Sequence, residues 1–206
     1  MSSRSYGGET SAARDDRRRR QILDAGLEIF GSVGFRAATV RGVCRDAKVA
    51  DRYFYDQFPT LEDLLLAVYA ECVETMMSAV VTELSALPPD ADPATLARHG
   101  LDAFFRVTEN PLLARVVWLE VLGVSRRVDQ LYLETLNRFG DLLASQIRVD
   151  PSVTDHDDER RVLMTSAVGG IRQVGTAWLI EGYATDRAVL VSASTRILVA
   201  IADSLR

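Results

Sequence analysis

Residues 39–58, TVRGVCRDAKVADRYFYDQF, decide the fold of this chain. Thr39 has a hydroxyl that can accept the free backbone N–H groups of a helix start. An apolar stripe at helical spacing follows it, made of Val40, Val43, Cys44 and Ala47. After a break at residues 48–50, a second short run over residues 51–58 is ended by Pro59. Two short helices joined by a three-residue turn predict a helix-turn-helix, the unit that places its second helix in the major groove of DNA.

A longer helix is predicted before this unit, from Asp16 onward. Its apolar residues recur at spacings of three and four, namely Ile22, Leu23, Leu27, Ile29, Phe30 and Val33. Gly31 and Gly34 indicate its end. The sequence therefore predicts a three-helix domain over residues 16–59, preceded by a disordered tail over residues 1–15.

The remaining residues, 60–206, predict a larger helical domain. Residues 60–87 form one long apolar pattern, stopped by Pro88 and Pro89. Further helix starts are indicated at Pro93, at Asn110 followed by Pro111, and at Ser125. A polar loop is expected at residues 149–158, with two last helices over residues 159–181 and 186–206. No strand pattern occurs, so the predicted fold class is all-α.

The charge is distributed unevenly. The chain of 206 residues has a formal net charge of -5, yet residues 1–58 hold 11 Lys/Arg and 8 Asp/Glu, a net of +3. Four of these positive charges are consecutive, at residues 17–20. A basic N-terminal end fits a nucleic-acid partner, although a solvated charge run at a helix start gives the same pattern.

The sequence lacks the motifs of secreted, membrane-spanning, metal-binding and catalytic proteins. Two cysteines are too few for a disulfide framework, and no Cys/His spacing suits a zinc site. No signal peptide and no run of about 18 apolar residues is present, which predicts a cytoplasmic protein without a membrane partner. No catalytic or dinucleotide-binding motif occurs, so neither an enzyme nor a bound cofactor or metal is expected.

The order and spacing of one set of residues resemble those of a known protein family. The set comprises Ile22, Leu23, Asp24, Ala25, Phe30, Gly34, Phe35, Thr39, Val40, Ala47, Val49, Phe54, Tyr55, Phe58 and Leu64. Over residues 17–66 the chain resembles the tetracycline-repressor (TetR-like) family, and residues 178–182, WLIEG, resemble its dimerisation region. The resemblance implies a dimeric regulator, usually a repressor, whose variable C-terminal helices hold an inducer pocket.

The resemblance also assigns DNA contacts. Thr39 matches the phosphate-binding cap, Arg41 a flanking contact, and Tyr55 a tyrosine that touches the DNA backbone. Arg52 and Tyr53 would face base edges, where Arg pairs with guanine and an aromatic ring covers a thymine methyl. The full set implied is Thr39, Val40, Arg41, Lys48, Asp51, Arg52, Tyr53 and Tyr55.

Departures from the family pattern reduce the positive charge of this surface. Lys48 stands where a turn glycine is usual, so a left-handed backbone there would cost about 1 kcal/mol. Ala50 replaces the usual capping Ser or Thr, and Asp51 is expected to cap the second helix instead. Leu61 replaces a phosphate-contacting lysine, and Asp56 adds an acidic group. These changes keep open an alternative, a helical dimeric ligand-binding protein with a weakened DNA-binding domain.

The middle helices are expected to hold the pocket for a small apolar or amphipathic effector. The predicted wall is Phe104, Phe105, Arg115, Trp118, Leu122 and Tyr132, with His99 and Glu120 as further polar candidates. Aromatic residues at helical spacing are equally typical of a plain core.

The last two helices carry more apolar residues than one chain needs to bury, which predicts a homodimer. Arg172 and Gln173, among Gly169, Gly170 and Gly175, are assigned to its interface. A two-fold dimer predicts a double-stranded DNA operator with an inverted repeat.

Overall fold

A computed structural model describes residues 11–147 and 157–205. The helices are α1 Ser11–Ser32, α2 Val40–Ala47, α3 Asp51–Gln57, α4 Leu61–Ser85, α5 Pro93–Thr108, α6 Pro111–Arg115, α7 Arg126–Ser145, α8 Asp157–Ile180 and α9 Arg187–Ser204. No strand occurs in these two ranges, so the all-α prediction is confirmed. Most of the loop expected at residues 149–158 lies outside the described residues, and α8 has already begun at Asp157.

Helix α1 begins within residues 1–15, the segment predicted to be a disordered tail. The helix begins at Ser11, so residues 11–15 are helical, while residues 1–10 lie outside the described part. Ion pairs one turn apart support this early start, from Arg18 to Asp15 at 3.2 Å and from Arg20 to Asp24 at 3.0 Å. The sequence pattern missed this turn because it lacks the apolar residues that mark a buried face.

The first compact unit contains α1, α2, α3 and the beginning of α4. Its fully buried side chains include Ile22, Phe30, Val43, Phe54, Leu64, Leu65 and Val68. The unit extends to Val68, beyond the predicted boundary after residue 59. Leu64 and Leu65 explain the difference, because the first turns of α4 complete this core.

Helix α4 begins with reciprocal hydrogen bonds. The backbone N–H of Asp63 donates to Thr60 Oγ1, and that of Thr60 donates to Asp63 Oδ2, both at 3.1 Å. Among the described helices α4 alone is long and apolar enough to cross a membrane, by length and composition only. Half of its most apolar window is buried inside the protein, and a core helix passes the same test.

The second compact unit runs from Tyr69 onward, and side-chain caps explain where its helices begin. Asp92 Oδ1 accepts from the backbone N–H groups of residues 94 and 95 and starts α5. Asn110 caps α6, Ser125 caps α7 and Asp186 caps α9. The starts predicted near Pro93, Asn110 and Ser125 are thereby confirmed.

Candidate DNA-binding surface and an apolar cavity

The turn between α2 and α3 has the geometry expected of a helix-turn-helix. Thr39 Oγ1 accepts the backbone N–H of Gly42 at 3.1 Å and caps α2. Lys48 ends α2 in the left-handed conformation, with φ 56° and ψ 40°. Its N–H donates to the Arg45 carbonyl at 3.2 Å, and the N–H of Val49 donates to that of Cys44 at 3.0 Å. The predicted Thr39 cap is confirmed, and the backbone of Lys48 is left-handed.

The start of α3 corrects the assignment of Asp51 as a cap. Ala50 occupies the capping position, no side chain accepts the free N–H groups, and Asp51 is the first residue of the helix. Its carboxylate interacts with the Cys44 thiol instead. Burial, reinforced by Asp51, raises the pKa of Cys44 to about 11, so this thiol stays neutral.

The outer face of α3 presents polar and aromatic side chains to solvent. Asp51, Arg52, Tyr55 and Asp56 are exposed, and 57% of Tyr55 is accessible, whereas Phe54 is fully buried. On α2 and around it, Thr39, Arg41 and Lys48 are also exposed, and Val40 is half-buried.

Tyr53, which is predicted to face base edges, contacts two arginines. Arg52 Nη2 donates to the Tyr53 hydroxyl at 2.7 Å, and this bond lowers the pKa of the phenol. The guanidinium carbons of Arg18 and Arg52 lie 3.8 and 4.6 Å from the centre of the Tyr53 ring. Tyr53 therefore lies between α1 and Arg52, and its assignment to base edges stays a prediction.

The second unit encloses an elongated apolar cavity of about 130 Å³. Its walls come from α4, α5, α7, α8, α9 and the turn after α6. One side is formed by α4, which contributes Tyr69, Val73, Met76, Val80 and Leu84. The facing side of α7 contributes Tyr132, Thr135, Leu136, Phe139, Leu142 and Leu143.

The structure brings three of the six predicted wall residues together. Phe104, Trp118 and Tyr132 line the cavity. Phe105 does not, because adjacent helical positions face different directions, and it packs against Trp178 with ring centres 5.9 Å apart.

The other two predicted wall residues also lie outside the cavity. Arg115 Nε donates to Glu120 Oε1 at 2.9 Å, and Leu122 is 44% exposed to solvent. The further polar candidates are engaged elsewhere too, since His99 Nδ1 is 3.0 Å from Glu83 Oε1 and Glu120 pairs with Arg115.

A π-helical turn at Val116–Glu120 positions Trp118. Such turns carry an extra residue and often occur at functional sites. The Trp118 ring lies against Gly175 of α8, where an added Cβ would be 2.5 Å from Cη2 of the indole. The Trp118 carbonyl accepts a hydrogen bond from Arg172 Nη2 at 3.0 Å. Only glycine at residue 175 leaves room for this ring.

One end of the cavity is polar. Tyr69, Tyr132, Thr135 and Arg172 all belong to its lining. Burial raises the pKa of Tyr69 to about 12 and also raises that of Tyr132. Sequence reasoning missed Tyr69 and Thr135, and it assigned Arg172 to the dimer interface. The four-residue spacing from the buried Val168 was the available signal that Arg172 faces inward.

The outward faces of α8 and α9 expose apolar side chains. Those more than a third accessible are Val162, Val174, Ile180, Val189 and Ile197, with exposed fractions of 38% to 69%. Gln173 is exposed as well. These two helices thus present apolar surface that the single chain leaves open.

Comparison with known proteins shows that part of the first unit is similar to a known family. The sequence model described as bacterial regulatory proteins, tetR family, matches residues 22–68, which contain all of α2 and α3. Residues 22–68 are therefore similar to the TetR family, over less than a quarter of the chain. This agrees with the resemblance found in the residues themselves.

Two curated relatives are HTH-type transcriptional regulators named BetI. The one from Escherichia coli strain UMN026 is 30% identical over 115 residues, which are 56% of this chain and 58% of the relative. The one from Klebsiella pneumoniae strain 342 is 29% identical over the same shares. The match thus spans little more than half the length of these relatives.

Solved structures match the fold over most of the chain. FadR from Bacillus halodurans has a TM-score of 0.72 at 19% identity, covering 88% of this chain and 94% of its own. FadR from Bacillus subtilis, in complex with stearoyl-CoA, has a TM-score of 0.71 at 20% identity, with coverages of 87% and 96%. The multidrug binding protein EbrR, complexed with imidazole, has a TM-score of 0.64 at 21% identity, with coverages of 87% and 94%. At these identities the likeness concerns the fold alone.

Proposed function

We propose that this protein is a DNA-binding transcriptional regulator, acting as a repressor that a small apolar or amphipathic molecule releases from its operator. The observation that carries the proposal is the turn at Lys48, which joins a Thr39-capped α2 to an α3 with an exposed polar face. The match of residues 22–68 to the TetR family model and the regulators among the curated relatives support it. As part of this proposal the protein acts in the cytoplasm, on chromosomal DNA.

In this proposal α3 enters the major groove, and the residues of α2 and α3 make two kinds of DNA contact. Arg52 reads base edges, held in position by its hydrogen bond to Tyr53. Thr39, Arg41 and Tyr55, all exposed, contact the phosphate backbone. Lys48 adds a positive charge at the turn, Val40 lies beside the Thr39 cap, and Asp51 lies at the first turn of α3.

The effector site is the cavity of the second unit, with Phe104, Trp118 and Tyr132 in its wall. An enclosed apolar space with few polar groups is typical of small-molecule sites. Two of the proteins with a similar fold were solved with a small molecule, stearoyl-CoA in one and imidazole in the other. No catalysis is proposed, since the curated relatives are transcriptional regulators.

A two-fold homodimer through α8 and α9 completes the proposal. Their exposed valines and isoleucines supply a self-complementary apolar surface. Because a dimer presents α3 twice, the operator is an inverted repeat in double-stranded DNA.

A second candidate is a dimeric ligand-binding protein whose DNA-binding domain has weakened. The exposed carboxylates of Asp51 and Asp56 on α3 favour it, because both repel phosphate.

Selection from a pool of random DNA duplexes separates the two candidates. The regulator predicts enrichment of one sequence, and fluorescence anisotropy then gives binding at least about a thousandfold tighter than to a scrambled duplex. Failure to enrich any sequence, even at low salt where phosphate contacts are strongest, would favour the second candidate.

A further inference from the structure

We infer that the cavity binds an unbranched amphiphile through a free carboxylate, with the head group at Arg172 and the hydrocarbon tail along α4. The inference rests on the proposed effector role of this cavity, and it specifies the chemical class and the orientation of the ligand.

The dimensions of the cavity favour a single chain over a bulky ring system. Its lining on α4 runs from Tyr69 to Leu84, a span of 15 residues or about 22 Å at the helical rise. The lining between the two ends, such as Val73, Met76 and Phe139, is apolar. An alkyl chain fits this shape and gains free energy with every methylene that it buries.

The charge of the lining specifies the head group. Arg172 is the one Arg or Lys among the described lining residues, and no Asp or Glu accompanies it there. Its Nη2 donates to the Trp118 carbonyl, but its Nε is buried and has no hydrogen-bond partner. A buried donor on a cation is costly without a partner, and a carboxylate is the group that guanidinium binds best.

The neighbouring phenols cannot supply the missing negative charge. Burial raises the pKa of Tyr69 to about 12 and raises that of Tyr132, so both stay neutral at physiological pH. The Arg172 guanidinium carbon lies 5.4 Å from the centre of the Tyr132 ring. Neutral hydroxyl groups near a cation can donate to a bound anion and add to its binding.

Burial along the cavity sets the orientation. At the Arg172 end, Tyr69, Thr135 and Trp118 are buried, whereas at the other end Leu84, Leu96 and Gln146 are only half-buried. The charged head therefore lies deep and the tail points to the more open end. An acid esterified to a large carrier would place that carrier at the buried end of the cavity, where there is no room for it. The ligand class is therefore the free acid.

Calorimetric titration with decanoate, decanol and decylammonium tests the head group, since the three probes share one chain. We expect decanoate to bind about ten- to a hundredfold more tightly than decanol, the range for a hydrogen bond to a charged group, and decylammonium to bind least. Hexanoate should be weaker than decanoate by about fourfold per methylene removed. Equal binding of decanol and decanoate, or no binding of either, would overturn the inference.

Variants locate the head group. Arg172→Gln should remove the preference for decanoate over decanol, while Arg172→Lys, which keeps the charge, should retain part of it. Arg138→Gln is the matched control, because Arg138 also lies on a cavity helix but pairs with Glu74 outside the lining. Loss of the preference in Arg138→Gln, or its full survival in Arg172→Gln, would contradict the assignment. The comparison of probes on the unmodified protein decides the ligand class even if one variant does not fold.

The same protein preparation separates this inference from the proposed function. If the protein binds a specific DNA sequence but shows no preference for decanoate, the inference of a carboxylate ligand is wrong and the proposed regulator stands. If instead the protein prefers decanoate but enriches no DNA sequence, the carboxylate ligand stands and the proposed regulator does not.

Discussion

At the scale of single residues, Lys48 shows how one side chain combines a backbone cost with a charge. Its φ of 56° lies in the left-handed region, where a residue with a Cβ is strained. The charge is exposed at the turn between α2 and α3. The two contributions can be separated, because glycine removes both the strain and the charge, whereas alanine removes only the charge.

We therefore predict that Lys48→Gly raises the free energy of unfolding by up to about 1 kcal/mol, since relief of strain exceeds the added entropy of the unfolded chain. Lys48→Ala is the control and should not be stabilised. Urea unfolding followed by circular dichroism measures both. A Lys48→Gly protein no more stable than Lys48→Ala would show that the turn is unstrained. Both variants should lose affinity for all DNA sequences alike.

Arg52 and Arg41 are both exposed arginines of the proposed DNA surface, but their expected effects differ. Arg52→Ala should cost about 1 to 3 kcal/mol on the operator and relax specificity at particular base pairs. Arg41→Ala should weaken binding to operator and scrambled DNA equally and lower the salt dependence by about one unit of slope. Anisotropy titrations at several salt concentrations give both quantities. Equal losses on both DNAs for Arg52→Ala would contradict its assignment to base edges.

At the scale of helices, the relation between α8 and the π-helical turn gives a sharp prediction. Gly175→Ala should destabilise the protein by about 1 to 3 kcal/mol, because its Cβ would lie 2.5 Å from the Trp118 indole. Gly140→Ala on α7 is the control, since its Cβ would meet only Met164 Cβ at 3.8 Å and alanine favours the helix. Thermal unfolding compares them. A Gly175→Ala protein as stable as Gly140→Ala would mean that Trp118 moves freely.

The helix pattern could be predicted well wherever a side chain caps the first turn. Thr39, Asn110 and Ser125 carry that signal in their own chemistry, and the helices after them begin where expected. The start of α1 could not be predicted, because ion pairs between exposed residues leave no apolar pattern. The π-helical turn was also missed, since one extra residue in a turn depends on packing against Gly175.

The site was predictable only in part for a related reason. The resemblance supplied the residues of α2 and α3, whose roles follow from fixed spacings, but not the contact of Arg18 with Tyr53. In the cavity, the choice between Phe104 and Phe105 depends on the rotation of α5, which two adjacent aromatic residues do not define.

At the scale of the whole molecule, the proposed dimer depends on the exposed residues of α8 and α9. Ile197→Glu should convert the dimer to a monomer, since a charge would be buried at the two-fold interface. Leu133→Glu is the matched control, because Leu133 on α7 is 58% exposed and Ile197 is 56% exposed. Light scattering at micromolar concentration gives the mass of each. A dimeric Ile197→Glu protein, or a monomeric unmodified protein, would contradict the interface.

The dimer in turn fixes the symmetry of the operator. Two copies of α3 related by a two-fold axis meet successive major grooves on one side of the duplex, so the half-sites form an inverted repeat one or more helical turns apart, at about 34 to 36 Å per turn. Inserting about five base pairs between the half-sites turns the second one to the opposite side of the duplex. The insertion should abolish the gain in affinity that comes from binding both half-sites at once. The monomeric Ile197→Glu variant should bind both duplexes equally weakly, because it never engages two half-sites at once. Anisotropy on the original and the lengthened operator measures this, and a dimer indifferent to the insertion would show that each α3 binds DNA independently.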